Sequence, residues 1–305
     1  LYGFLGLKIF ETGSPTFNFK LFTRDFNKPL VDSNQLDKFN INKNYLSSNQ
    51  INDKEIVLEW SKKIMYFAEN NLPIPRMYFP YIPRNINEFE TQIKKNVFIS
   101  ILLPIALKGN ELVLEERKLM KAAFLSNNIY KIESLAKKYN INDFKKYNFS
   151  NLTKKNIDII KTELLIKINE IPLAMILSQS IIESGWGSSR FAQEGNALFG
   201  EWTWKKNVGI KPKGNLYANF AVKKFKNLLE SLNSYILNLN RHPAYSDMRK
   251  FRAMKFKTGK KITGYDTANF LNKYAEIGFE YVTKIENMIK SNKLYRFRNS
   301  KLESY

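Results

Sequence analysis

Apolar residues recur at helical spacing along most of the chain after residue 50. In the first such segment, 53–70, Asp53 is a suitable N-cap and Trp60 is a predicted core residue. Further helices are predicted at about 90–108, 112–124, 129–139 and 153–168, and Asn151 or Thr153 is expected to cap the last of them. Pro104 predicts a kink or break in the second helix. Residues 1–50 are polar and lack a sustained period, which predicts a loosely structured or extended segment.

Four prolines within residues 73–83 exclude a helix there. The apolar side chains of this segment favour an extended path packed along the protein's own surface. An extended ligand for a partner protein is the alternative. The first ten residues, beginning at Leu1, are apolar but too short to span a bilayer. They fit either an ordinary strand or the end of a removed signal or membrane anchor upstream of Leu1.

Composition narrows the possible chemistry. The chain has no cysteine, which excludes disulfides and thiolate metal sites, and its one histidine, His242, excludes a multi-histidine metal site. The net charge is +21, from 49 Lys and Arg against 28 Asp and Glu. This charge fits either compositional drift or an anionic partner such as a membrane, a cell-wall polymer or nucleic acid. No basic block or zinc-finger spacing supports nucleic acid, so we expect no nucleic-acid partner.

One helix carries the strongest candidate for catalysis. Pro172 suits a first helical turn, and Ser184-Gly185 suits a last one. Glu183 therefore lies in the last turn, at the border of the face formed by Leu173, Ile176, Leu177 and Ile181. Desolvation and the negative end of the helix dipole both raise the pKa of a carboxyl group placed there, as a general acid requires. A surface glutamate in a last turn is the alternative.

Large aromatic residues follow this helix. Trp186, Phe199, Trp202 and Trp204 fall within nineteen residues and include three of the four tryptophans. Such rings stack on the apolar faces of sugars, although they also line ordinary cores.

The residues around Glu183 resemble the motif of the bacterial glucosaminidase-domain family. Glu-Ser-Gly-Trp-Gly-x-Ser-x-Phe, starting at Glu183, is followed by Gly-Asn-x-Leu-Phe-Gly ending at Gly200. The helix over 225–240 with His242-Pro-Ala-Tyr245, and the closing Tyr274 with a terminal helix, are similar to later blocks of that family. The resemblance covers about residues 160–292 and is greatest to the Bax-type branch, whose N-terminal part is also similar to residues 72–110.

The resemblance implies a mostly helical α+β protein with a lysozyme-like helical lobe and a small β-lobe. It implies an accessory region over 1–150, a glucosaminidase domain over 151–292 and a basic tail over 293–305. The implied activity is hydrolysis of the β-1,4 bond of peptidoglycan on the N-acetylglucosamine side, with no metal or other cofactor. Glu183 is the implied acid and Tyr274 a second functional residue. The implied location is the periplasm or cell envelope of a Gram-negative bacterium.

Five residues are candidates for substrate binding: Trp186, Asn196, Phe199, Trp202 and Tyr245. Two of them have structural alternatives, since Asn196 also fits a role in holding its own loop and Tyr245 also fits the core. His242, before Pro243, favours a structural cap over a catalytic base.

The sequence departs from the family at the second carboxylate. Many relatives carry one 30–40 residues past the acid, yet residues 213–223 hold no Asp or Glu. We therefore favour substrate assistance by the 2-acetamido group over Glu201, with Glu194 a weaker candidate. The departure keeps two other readings open: a lytic transglycosylase, and an inactive glycan-binding or scaffold protein.

Overall fold

The computed structural model describes residues 45–141, 147–204, 209–211, 219–272, 274 and 278–304. The predictions for residues 1–44 and for most of the 213–223 window lie outside these residues. The described helices are α1 (Ser48–Asn52), α2 (Lys54–Glu69), α3 (Thr91–Leu125), α4 (Ile129–Lys138), α5 (Lys154–Lys167), α6 (Leu173–Ser184), α7 (Arg190–Gly195), α8 (Leu228–Arg241), α9 (Ser246–Lys257), α10 (Gly264–Ala268) and α11 (Phe279–Ser291). The described strands are β1 (Trp202–Thr203), β2 (Gly209–Ile210) and β3 (Ala221–Lys223).

Helix starts follow the capping residues in the sequence. The Asp53 carboxylate accepts hydrogen bonds from the N–H groups of Glu55 and Ile56, which begins α2 as predicted. Thr153, rather than Asn151, caps α5 by accepting from the N–H of Asn156. These side chains satisfy N–H groups that have no partner within the helix.

The prediction of two helices over 90–124 was wrong, because α3 runs unbroken through Pro104. Proline lacks the N–H that would bond to the carbonyl of residue 100. The buried indole N–H of Trp60 donates to the Ser100 carbonyl at 3.2 Å instead. This side-chain bond from α2 replaces the missing helical bond and lets the helix continue.

Helix α3 is also the central element of the core. It packs against α2, α4, α6 and α8. At its contact with α8 a Cβ on Gly109 would lie only 2.7 Å from Leu232 Cδ2, so glycine permits the close approach. By length and composition α3 alone among the described helices is apolar enough to cross a membrane, but 78% of its most apolar window is buried inside the protein.

The proline-rich segment is extended and packed, as predicted. Ile74 forms a bridge with Leu302, with the Ile74 N–H 2.8 Å from the Lys301 carbonyl. A 3₁₀ helix at Leu294–Asn299 buries Phe297 completely. Residues from the predicted accessory region, hydrolase domain and tail therefore share one core. The boundaries assigned to these parts stay predictions.

A small antiparallel sheet follows α7, with strand order β1-β3-β2. Val222 in β3 pairs with Trp202 on one side and Ile210 on the other. The mostly helical α+β class is confirmed. The sheet places the chain after Gly200 beside α8, close to the end of α6.

Candidate active site

Glu183 occupies the last turn of α6, as predicted. The helix begins after Pro172, where the buried Asn110 side chain of α3 exchanges hydrogen bonds of 2.8 and 2.9 Å with the backbone of Ile171. It ends at Gly185, whose φ of +56° is the left-handed conformation typical of a glycine that stops a helix. Both ends of α6 are thus fixed, which fixes Glu183.

The Glu183 carboxyl group is half-buried between a hydroxyl and a backbone loop. Its Oε1 accepts a hydrogen bond of 2.7 Å from the Tyr281 hydroxyl in α11. Its Oε2 faces Gly200, where a Cβ would lie 3.5 Å away. Burial raises the pKa of Glu183, and the Tyr281 hydrogen bond opposes part of that rise. A carboxyl group in this setting retains its proton to a higher pH than one in water.

A chain of buried hydrogen bonds fixes the direction of the Tyr281 donor. The Tyr235 hydroxyl donates to Gln179 Oε1 at 2.6 Å, and Gln179 Nε2 donates to the Tyr281 oxygen at 3.1 Å. Because that oxygen already accepts from Gln179, the proton of Tyr281 points toward Glu183. Gln179 and Tyr235 therefore act on Glu183 through Tyr281.

Three predicted site residues gather round these groups. The Tyr274 hydroxyl donates to the Phe199 carbonyl at 3.1 Å, and its ring stacks on Tyr281 with centroids 5.4 Å apart. Phe199 stacks on Tyr235 at 3.9 Å, and Tyr245 lies 6.4 Å from Tyr274. Burial raises the pKa of Tyr274, and it raises the pKa of Tyr245 to about 12. Both phenols are therefore neutral donors near pH 7.

Glu201 follows Gly200 but is held toward α8. Its Oε2 accepts from Ser234 Oγ at 2.8 Å, and Lys223 Nζ lies 3.9 Å away. Its Oε1 is buried and has no hydrogen-bond partner among the described residues. Burial raises the pKa of Glu201, against the effects of Ser234 and Lys223. Glu201 therefore directly follows Gly200, the residue that faces Glu183, but the described contacts of its carboxylate are to Ser234 and Lys223.

Trp186 and Asn196 make structural contacts of their own. The Trp186 ring packs edge-on against Phe98 of α3 at 6.0 Å, with Lys95 Nζ 5.3 Å from its centroid. The Asn196 amide donates to the carbonyls of Phe225 and Lys226, which ties the loop before Gly200 to the start of α8. Their roles in substrate binding stay predictions.

Two tryptophans in and beside the small sheet are exposed. Trp202 is 53% exposed and stacks on Phe220 with centroids 4.6 Å apart, and Trp204 is 71% exposed. These rings form an apolar surface beyond Gly200, which suits a sugar face.

Two other polar candidates have separate settings. His242 Nδ1 accepts from the Ala244 N–H at 3.2 Å, which is the capping contact that the sequence favours. Glu194 forms an ion pair with Arg190 at 3.4 Å on the surface of α7. No described group of three or more His, Cys, Asp or Glu residues could hold a metal ion.

Sequence reasoning missed Gln179, Tyr235 and Tyr281 as site residues. One signal was present, because Gln179 is a large polar residue in a mostly apolar helix and lies one turn before Glu183 on the same face. Tyr281 lies in the block that resembles the family's closing part, but sequence reasoning assigned it no role, since its contact with Glu183 depends on how α11 docks on α6.

Comparisons with known proteins identify the family of the chain. Residues 161–294 match the family model described as mannosyl-glycoprotein endo-beta-N-acetylglucosaminidase. The chain is 30% identical to Protein bax of Escherichia coli (strain K12) over 207 residues, which cover 65% of this chain and 70% of that protein. No solved structure matches the chain. The chain belongs to the glucosaminidase-domain family, in its Bax-type branch.

Proposed function

We propose that this protein is a peptidoglycan hydrolase that cleaves the β-1,4 bond on the N-acetylglucosamine side, with Glu183 as general acid. The observation that carries the proposal is the half-buried Glu183 carboxyl group, with its raised pKa, held by Tyr281 and facing the loop at Gly200. Membership of the glucosaminidase-domain family supports the class of bond. The exposed Trp202 and Trp204 rings suit an extended glycan.

The geometry suggests which oxygen carries the proton. Since Oε1 accepts from Tyr281, the neutral Glu183 carboxyl group carries its proton on Oε2, the atom that faces Gly200. Transfer of this proton to the glycosidic oxygen lets the bond to the anomeric carbon break and releases the leaving sugar as an alcohol. The positive charge that develops on the anomeric carbon then needs a nucleophile. The neutral Tyr274 hydroxyl is a candidate to orient that part of the substrate.

For the nucleophile we favour the 2-acetamido oxygen of the substrate over Glu201. Glu201 Oε2 is bonded to Ser234, and no Asp or Glu is present in residues 213–223. In this route the acetamido oxygen closes a ring on the anomeric carbon, and water then opens it to give the hydrolysed product.

Turnover of Glu201→Gln on purified glycan fragments tests this choice. Substrate assistance predicts turnover close to wild type, whereas a loss as large as that of Glu183→Gln would make Glu201 the second catalytic group. Glu194→Gln is the matched control, because Glu194 is a surface glutamate in a single ion pair.

Digestion of purified sacculi tests the proposed function as a whole. We expect the wild type to clear sacculi in a zymogram and Glu183→Gln to lose at least roughly 100-fold in rate, the scale of general acid catalysis. Mass spectrometry of the products should show reducing N-acetylglucosamine ends. Anhydro-muramic ends would indicate a lytic transglycosylase, and binding without clearing by the wild type would indicate a glycan-binding protein.

A peptidoglycan substrate also bears on location. Because that polymer lies outside the inner membrane, we propose that the protein acts in the periplasm or cell envelope. Cell fractionation tests this, and recovery of the protein with cytosolic markers alone would contradict it.

A further inference from the structure

A large cavity lies at the start of α6, the end of the helix opposite to Glu183. It has a volume of about 1480 Å³ and is lined in part by Leu173 and Ala174, at the start of α6. Glu183 follows Ala174 by nine residues of the same helix, which is about 13 Å along the helix axis. Glu183 does not line the cavity. The cavity is therefore separate from the candidate active site.

Positive charge dominates the lining of this cavity. Eight Lys or Arg residues line it, against three glutamates. Three of the eight have partners: Arg76 bonds to Glu111, Arg296 to Glu69, and Arg252 to backbone carbonyls at the end of α5. The other five are exposed and form no ion pair with a described carboxylate; they are Lys118, Lys260, Lys261, Arg298 and Lys301. We call these five residues the cationic rim.

Apolar side chains make up another part of the lining, which we call the apolar floor, and Glu111, Glu115 and Glu170 line the cavity beside it. The apolar floor is formed by α3, the start of α6, α11 and the chain near Leu302, which contribute Leu107, Leu114, Ile171, Leu173, Ile289 and Leu302. Phe256 and Tyr295 also line the cavity and are 65% and 52% exposed. Large exposed aromatics beside cations are typical of surfaces that meet the interface of a bilayer.

Size and lining together indicate the class of ligand. The cavity is larger than the roughly 300–1,000 Å³ of usual small-molecule sites. A free phosphate or an acidic polymer would use the cationic rim but would gain nothing from the apolar floor. A ligand with an anionic headgroup and an apolar chain would use both.

We propose that this cavity binds an anionic phospholipid, with the phosphate headgroup at the cationic rim and part of an acyl chain on the apolar floor. The protein would thereby attach to an anionic membrane surface through the end of α6 that is remote from Glu183. Because Glu183 does not line the cavity, this proposal stands apart from the proposed hydrolysis.

Vesicle binding by the full chain tests the proposal. We expect binding to vesicles of phosphatidylcholine with phosphatidylglycerol, and little binding to phosphatidylcholine alone. The double variant Lys260→Glu with Lys261→Glu should bind at least tenfold more weakly, because each cation near such a surface contributes about 1 kcal/mol. Leu114→Glu should also bind at least tenfold more weakly, since it places a charge on the apolar floor.

A matched surface on α5 supplies the controls. Lys154 and Lys155 are adjacent exposed lysines, and Ile159 is 39% exposed, close to the 36% of Leu114. Lys154→Glu with Lys155→Glu changes the net charge by the same amount as Lys260→Glu with Lys261→Glu. Ile159→Glu introduces the same charge as Leu114→Glu, at an apolar residue outside the cavity. Both controls should bind within about twofold of wild type. Short-chain soluble phosphatidylglycerol, which tests a free lipid, should compete with vesicles for the cavity.

Several outcomes would overturn the proposal. Equal losses in the α5 controls would show a general effect of net charge. Normal binding by Leu114→Glu, or no competition by the soluble lipid, would place the lipid on the surface and not in the cavity. Binding to a nucleic acid or acidic polysaccharide that the rim variant loses, without lipid binding, would assign the rim to a polymer. Near-ultraviolet circular dichroism and activity on glycan fragments check that each variant is folded.

Discussion

At the scale of single residues, the raised pKa of Glu183 has a consequence for stability. Burial raises it above the ordinary value of 4.5. Between pH 4.5 and the higher folded pKa, the folded chain binds more protons than the unfolded chain, so the free energy of unfolding falls as pH rises. Glu183→Gln should remove this loss of stability and therefore raise the melting temperature at pH 7.

Thermal unfolding followed across pH checks this prediction. The gain of Glu183→Gln should narrow as pH falls through the folded pKa and vanish below 4.5, where wild-type Glu183 is protonated in both states. Glu194→Gln on the surface of α7 should show no gain at any pH. An unchanged or lower melting temperature for Glu183→Gln at pH 7 would mean that burial costs this carboxylate nothing.

The Tyr281 hydroxyl should control the pH profile of hydrolysis. Its hydrogen bond lowers the pKa of Glu183, so Tyr281→Phe should raise that pKa further. A general acid works while protonated, and the alkaline limb of kcat/KM should therefore move to higher pH. The alkaline limb should move by about one to two pH units, since a hydrogen bond to a charged group is worth roughly 1.5–3 kcal/mol.

Tyr274→Phe is the matched control for this experiment. The Tyr274 hydroxyl bonds to the Phe199 carbonyl and not to Glu183, so its removal should leave the alkaline limb in place even if turnover falls. A limb that moves to lower pH in Tyr281→Phe would contradict the assigned direction of the hydrogen bond.

These residues also show what the sequence can predict. The position of Glu183 at a helix end followed from apolar spacing and from Gly185, both of which are local signals. Tyr281 is 98 residues from Glu183, and its hydrogen bond depends on the docking of α11 against α6. Such a contact has no period or motif to reveal it.

At the scale of elements, the continuity of α3 depends on one side chain from α2. The Trp60 indole supplies the hydrogen bond to the Ser100 carbonyl that Pro104 cannot make. Trp60→Phe should leave that buried carbonyl unpaired and cost about 1–3 kcal/mol, in addition to the lost packing of the larger ring. Local sequence predicted a kink or break here because the compensating group lies 40 residues away.

A double-mutant cycle with Pro104→Ala isolates this hydrogen bond. Alanine restores the N–H at position 104, which can bond to the Ser100 carbonyl within the helix. Trp60→Phe should therefore cost about 1 kcal/mol less in the Pro104→Ala background, as measured by urea denaturation. Equal costs in the two backgrounds would show that the indole contributes only its packing.

Substitutions at two glycines after α6 distinguish the cost of backbone conformation from the cost of overpacking. Gly185 and Gly187 have φ of +56° and +77°, yet a Cβ on Gly185 would meet nothing within 4 Å. A Cβ on Gly187 would lie 3.0 Å from both Ile82 and Phe98. Gly185→Ala should cost about 1–2 kcal/mol, the conformational penalty alone.

Gly187→Ala should cost more, by roughly 1–3 kcal/mol of overpacking. It should also lower turnover, because it displaces the turn after Glu183 from the proline-rich segment. Urea denaturation and turnover on glycan fragments check both effects. Equal stability losses in the two variants would mean that the proline-rich segment does not constrain this turn.

At the scale of the whole molecule, the unit that folds together includes more of the chain than the family match covers. The match covers residues 161–294, whereas the core that supports α6 includes α2, α3 and the proline-rich segment. Helix α3 packs on both α6 and α8, and Asn110 fixes the start of α6. The sequence indicated a separate accessory region because the motifs around the site lie after about residue 160. Packing of the earlier residues into the same core leaves no motif in the sequence.

A variant that lacks residues 1–150 should therefore lose its cooperative fold. Removal of α3 would expose apolar faces of α6 and α8 that are buried in the intact chain. Because natural domains are stable by only about 5–15 kcal/mol, loss of several fully buried apolar contacts exceeds the available stability. We expect weak near-ultraviolet circular dichroism, no sharp thermal transition and no hydrolysis. A variant that lacks only residues 1–44 retains every described contact and is the matched control. A cooperative, active 151–305 fragment would show instead that the hydrolase part folds without α3.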